Sequence, residues 1–150
     1  MIEITKAAEY SLRASAALVD YYERDKTATV SEIAVGEAIP ESFLRKLLKP
    51  LIRAQIIKSE RGYSGGITLA RDPDEISVLD VIEAVDGKLS LNDCVLEPSE
   101  CGFIQRCAMY NVWIETTEVL KQHLQSYTLE DVRRRHGDPI EKKSDLEKVK

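Results

Sequence analysis

No stretch of the 150 residues approaches the ~18 consecutive apolar positions of a membrane span. The opening segment, MIEITKAAEYSLRAS, lacks a basic start followed by an apolar run, so it does not read as a secretory signal. Both absences lead to the expectation of a cytoplasmic protein with no membrane partner. Histidine is scarce. His123 and His136 stand far along the chain and read as surface residues. There is no nucleotide loop, substrate motif or acid–base constellation, which argues against an enzyme. Cysteine is scarce too, with three in all. The C-x2-C knuckles of zinc ribbons and the C-x-x-C of thioredoxin-like proteins are both missing. In a reducing compartment, three closely spaced thiols do not make a disulfide framework. They point instead to a metal, a cluster or a redox thiol.

What is present is ordinary soluble composition, 43% hydrophobic and 31% charged, with an uneven charge distribution. The chain carries a net -5. Yet from Pro40 to Arg71 there are seven cations (Arg45, Lys46, Lys49, Arg53, Lys58, Arg61 and Arg71) against Glu41 and Glu60. A net +5 window on a body of -10 is an electrostatic footprint for phosphate, though a solvated helix face gives the same count.

The pattern of apolar residues predicts mainly helix. Residues 4 to 23 repeat Ile4, Ala8, Leu12, Val19 and Tyr22 at helical steps, without Gly or Pro. Ser31 reads as the N-cap of a short helix carrying Ile33, Ala34 and Ala38. Pro40 opens the next helix through Phe43, Leu44, Leu47, Leu48, Leu51 and Ile52. Pro50 should kink or shorten it. Residues 56 to 61 and 66 to 70 read as a hairpin around a Gly-rich tip. Ser77 to Asp80 is a capping-box pattern for a helix that Gly87 stops. A long helix is expected from about Phe103 to Gln125, with Phe103, Cys107, Tyr110, Ile114, Thr117, Leu120 and Leu124 on one stripe. Thr128 to Asp131 caps a last short helix, and the tail after His136 reads as disordered.

Helix, short helix, turn, second short helix and hairpin, in that order, predict a winged helix-turn-helix: mainly α with a small β-hairpin wing. The second short helix is the expected reader, with Ser42, Arg45, Lys46 and Lys49 facing base edges in the major groove. The wing tip brings Arg61, Tyr63 and Ser64 to the adjacent minor groove or backbone. The expected organisation is a DNA-binding domain over 1–87, a cysteine loop over 88–107, a dimerisation helix and short terminal helix over 103–135, and a tail over 136–150. Cys94, Cys101 and Cys107 form C-x6-C-x5-C on a loop running into a helix. That spacing suits an iron–sulfur cluster. Three unrelated thiols give the same spacing.

Several blocks of the sequence resemble the Rrf-two-type family of bacterial iron–sulfur transcription regulators, which includes the sensors IscR, NsrR and RirA. The blocks are Ile4 to Ala14, Ile39 to Leu44, Lys58 to Gly66, Glu75 to Gly87, the three cysteines, and Tyr127 to Asp131. The resemblance covers about residues 2 to 132, and Glu75–Gly87 is its most specific part. It implies a homodimer built on the long helix and a cluster held by Cys94, Cys101 and Cys107. In some members the partner subunit adds a ligand, and in NsrR-like members it is an acidic residue of the first helix, a position occupied here by Glu9. A carboxylate binds iron more weakly than thiolate, which suits a sensor. IscR-like members place a histidine where this chain has Tyr110, so the resemblance favours a four-iron cluster over a two-iron one. Ile67, where an aromatic is usual, and Pro50 are further departures. The implied function is a regulator, most simply a repressor, on a pseudo-palindromic duplex operator, responding to nitric oxide, redox state or iron. Some members lack a cluster and respond to a partner protein or to thiol oxidation, and that alternative stays open. An iron–sulfur or thiol enzyme, or a cluster carrier, is the reading from another class.

Overall fold

A computed structural model describes residues 4–62 and 65–135. Among them are seven helices and one two-stranded antiparallel sheet. Helix α1 spans Lys6–Glu23, and Thr5 caps it by accepting from the Ala8 amide. Its inward face is mostly small, with Ala8, Ser11, Ala14 and Ser15 fully buried alongside Leu18 and Val19. Small side chains let neighbouring elements pack close to this helix.

Helix α2 spans Val30–Gly36. Its N-cap is Thr29, not Ser31. The Thr29 hydroxyl accepts from the Glu32 amide at 3.1 Å, and Glu32 Oε2 accepts from the Thr29 amide at 2.6 Å. This reciprocal box satisfies two orphan donors, which a cap at Ser31 has no acid three residues on to match. The turn that follows places Ala38 in the left-handed region (φ 50°) and buries Ile39.

Helix α3 spans Glu41–Arg53, with Pro40 at the cap position rather than inside the first turn. Leu44, Leu47 and Leu51 are buried. Pro50 does not shorten the helix below Arg53. It sits in the last turn, where its missing donor costs one bond and its own carbonyl still accepts from Ala54 at 3.0 Å.

Strands β1 (Ile57–Glu60) and β2 (Gly66–Leu69) pair in the register Ile57↔Leu69 to Glu60↔Gly66. The hairpin is also fastened from behind. Ala28 and Ile67 exchange both backbone hydrogen bonds, at 2.9 and 2.7 Å. A Cβ on Gly66 would lie 2.5 Å from the Ala28 carbonyl oxygen, so this contact requires glycine. Helix α4 (Val78–Asp86) has the expected box between Ser77 and Asp80 and ends at Gly87 with φ 84°.

Helix α7 (Leu129–Arg135) returns to the first unit, and Leu129 is fully buried in its core. Arg133 holds it to α1 through Glu23 at 2.8 Å and Asp20 at 3.5 Å. Between these parts lie a short helix, α5 (Asp93–Leu96), and the long α6 (Tyr110–Gln125). The long helix therefore starts at Tyr110, not Phe103. Residues 101 to 109 close into separate tight turns, and Cys107 is extended with ψ 106°. No described helix is long and apolar enough to cross a membrane. The expected disordered tail, 136–150, lies outside the described residues, as does His136.

Candidate nucleic-acid interface and cysteine loop

Helix α3 separates two chemistries. While Leu44, Leu47 and Leu51 enter the core, Ser42, Arg45, Lys46 and Lys49 are all exposed. The i, i+3, i+4, i+7 spacing puts these four on one face. Arg45 is already engaged there, its Nε and Nη2 donating to Glu41 Oε1 at 3.0 and 2.6 Å. Among the described residues, Lys46, Lys49, Arg53 and Arg61 make no ion pair, so their charge is available to phosphate. On the hairpin, Lys58 pairs with Glu60 at 3.2 Å. Arg61 is exposed at the end of β1. Tyr63 and Ser64 lie outside the described residues.

One cation of the basic window belongs elsewhere. Arg71 donates to the Glu75 and Gln55 carbonyls at 2.9 and 3.3 Å and lies 3.7 Å from Asp80. It ties the end of the hairpin to α3 and α4. Charge counting along the sequence cannot make this distinction.

The cysteine loop is differently built. Cys94 lies on α5, Cys101 follows a tight turn over Pro98–Glu100, and Cys107 follows another over Ile104–Arg106. All three are free thiols and half-buried. The donor set of three thiols on one loop fits an iron–sulfur cluster. Its geometry is unassembled: no group of three or more His, Cys, Asp or Glu comes together to hold a metal ion among the described residues. The loop is anchored at one end, where the Leu91 amide donates to Thr117 Oγ1 at 3.2 Å.

Glu9 sits in the first turn of α1. Its Oε2 is 2.6 Å from Lys6 Nζ, and Oε1 is 3.7 Å from Arg13. The hydrogen bond from Lys6 holds its carboxyl below the ordinary glutamate range, with Lys6 and Arg13 charge adding to the effect. Arg13 reaches further, to Glu37 at 3.6 Å and over the Tyr10 ring at 5.7 Å. Tyr10 in turn meets Phe43 of α3 edge-on, with ring centroids 5.6 Å apart. Sequence reasoning missed this link between Glu9 and the helix-turn-helix. The Glu9–Arg13 spacing was its only legible part.

The stripe read from the sequence on the long helix faces largely inward. Thr117 is buried, and Tyr110, Leu120 and Leu124 are half-buried. Ile114 of that stripe is exposed, together with Met109, Val112 and, at 66%, Val119, which lie off it.

A helix-turn-helix whose turn is pinned by buried Ile39, a basic face on its second helix and a fastened hairpin define a winged helix-turn-helix DNA-binding protein. The chain belongs to the Rrf2 family. The model of that family, described as an iron-dependent transcriptional regulator, matches residues 4–135. Similar proteins include the NsrR transcriptional regulator of Geobacillus kaustophilus, 32% identical over 87% of this chain and 89% of the relative. The CymR transcriptional regulator of Bacillus subtilis is 35% identical over 69% of this chain and 70% of the relative. A solved structure of CymR, the global cysteine regulator of B. subtilis, covers 89% of this chain and 98% of its own, at 28% identity and TM-score 0.72. These relatives are transcription regulators, not enzymes.

Proposed function

We propose that this DNA-binding transcription regulator is a homodimeric repressor whose operator affinity depends on an iron–sulfur cluster held by Cys94, Cys101 and Cys107. Glu9 of the partner subunit completes the ligand set, and the four-iron form is favoured. The observation that carries this reading is three free, half-buried thiols on one loop, placed between the DNA-binding unit and α6. When bound, such a cluster supplies a group that nitric oxide, oxygen or iron shortage modifies or removes. The remaining roles belong to the chain. Ser42, Arg45, Lys46 and Lys49 read a half-site, while Arg61, Tyr63 and Ser64 hold the adjacent backbone. Met109, Val112 and Val119 form the apolar contact with a second copy, whose two-fold symmetry calls for a pseudo-palindromic operator. Glu9 exchanges Lys6 for its new role, and Arg13 and Tyr10 lie between that carboxylate and Phe43 of the reader helix. Anaerobic native mass spectrometry tests the proposal. It predicts a dimer whose mass includes four iron and four sulfide per chain. A dimer free of iron under these conditions counts against it.

A second reading keeps the DNA binding and drops the metal. It is favoured by the ungathered thiols and by the likeness to a regulator named for cysteine. In that case thiol oxidation or a partner protein sets the affinity. Unchanged operator binding and response in Cys94→Ala would favour it.

A further inference from the structure

Helix α3 carries a single carboxylate, Glu41, on the face otherwise made of Ser42, Arg45, Lys46 and Lys49. On a surface meant for phosphate, an acid opposes binding. Its place in the first turn is favourable to the helix dipole, which explains why the helix tolerates it but not how it is tied. Both Nε and Nη2 of Arg45 donate to one oxygen, Oε1. Arg45 has five donors, so its Nη1 group and one further N–H remain free. Glu41 Oε2 accepts no hydrogen bond among the described residues. Both side chains are well exposed, at 41% and 60%.

We infer that Glu41 is a specificity-determining residue, and that the Glu41–Arg45 pair reads two adjacent base pairs. Arg45 takes the O6 and N7 of a guanine, and Glu41 Oε2 accepts from the N4 amino group of a cytosine in the neighbouring pair. The inference rests on the placement of α3 as the reader. The chemistry follows from the groups left free: arginine donors match the two guanine acceptors, and a carboxylate matches the cytosine donor. Two groups in direct contact at 2.6 Å suit pairs stacked about 3.4 Å apart, not distant ones. The shared oxygen also fixes the guanidinium before DNA arrives, which lowers the ordering cost of the arginine contact.

The test is binding-site selection from a randomised duplex library with the full-length protein, wild type against Glu41→Ala, Glu41→Gln and Arg45→Ala, with circular dichroism to confirm folding. The wild type should require a guanine and a cytosine in adjacent pairs. Glu41→Ala should lose the cytosine preference, roughly tenfold in relative affinity, while keeping the guanine. Glu41→Gln should weaken the cytosine preference with no change in fold. Unchanged preferences in both Glu41 variants would reduce the pair to a surface ion pair and overturn the inference. An even gain across all sequences would do the same, because it marks charge repulsion alone. If Arg45→Ala also leaves the selected site unchanged, the reader placement itself fails and this inference with it.

Discussion

Leu44, Leu18, Leu51, Leu69 and Val81 are fully buried in one core, and three of the helices that frame it, α1, α2 and α4, start at side-chain caps. From residue 93 to 109, by contrast, no side chain is fully buried, and Phe103 is 73% exposed. The first region finds its partners within one chain. The second holds three thiols at half-burial and leads into a helix that leaves Val112 and Val119 exposed. A surface for reading DNA must be rigid before the duplex arrives, since a core positions it. Under the proposed function the cysteine loop has to differ between two states, which calls for low local stability there. The contrast teaches where control is to be sought: in the segment that its own chain leaves incomplete.

The largest expected effect tests the contrast directly. Leu44→Ala should cost about 2–5 kcal/mol of stability, by the loss of transfer energy and the cavity left behind. Cys101→Ala in the metal-free protein should stay within about 0.5 kcal/mol of wild type. Equal destabilisation in denaturant titrations would erase the distinction between the regions. Next, Arg45→Ala should weaken operator binding by about 1–3 kcal/mol and relax one base position. Arg71→Ala should instead lower the melting temperature and leave the selected sequence as it was. A change in base preference for Arg71→Ala would return that residue to the interface. Ser77→Ala should cost about 1 kcal/mol through the lost cap of α4, read by chemical denaturation. The smallest effect is in acid. Hydrogen bonds from the Thr128 amide and hydroxyl lower the Asp131 carboxyl, and those from Thr29 lower Glu32. A lowered carboxylate pKa gives stability that is present above the unfolded value, about 4, and is lost as pH falls through the folded one. Asp131→Asn should flatten this part of the stability–pH curve. An unaltered curve would remove Asp131 from the account.

Much of the reading half was legible because its signals are local. The leucine spacing of α3, the Ser77–Asp80 box and the glycine-rich hairpin each act within a few residues. The cap of α2 went to the wrong residue because Ser31 and Thr29 both suit a cap, and only the acid at Glu32 decides between them. The pairing of Ala28 with Ile67 and the return of Leu129 to the core were illegible, since both join segments far apart in sequence. The false extension of α6 to Phe103 has a simple cause. Tight turns repeat at three residues, so an apolar stripe at helical steps runs on across them without a helix. At the candidate site, sequence supplied the exposed cations and the thiols. It could not show that Arg71 is structural, that Glu41 holds Arg45, or that Tyr10 touches Phe43.

The central claim is that the cysteine loop controls the reading face. Anaerobic operator titration of one preparation, before and after iron removal and beside Cys94→Ala, tests it most directly. The account predicts that both treatments weaken operator binding by about tenfold or more, within the usual range of coupling between sites, while non-specific duplex binding keeps its salt dependence. Equal operator affinity in all three samples would contradict it.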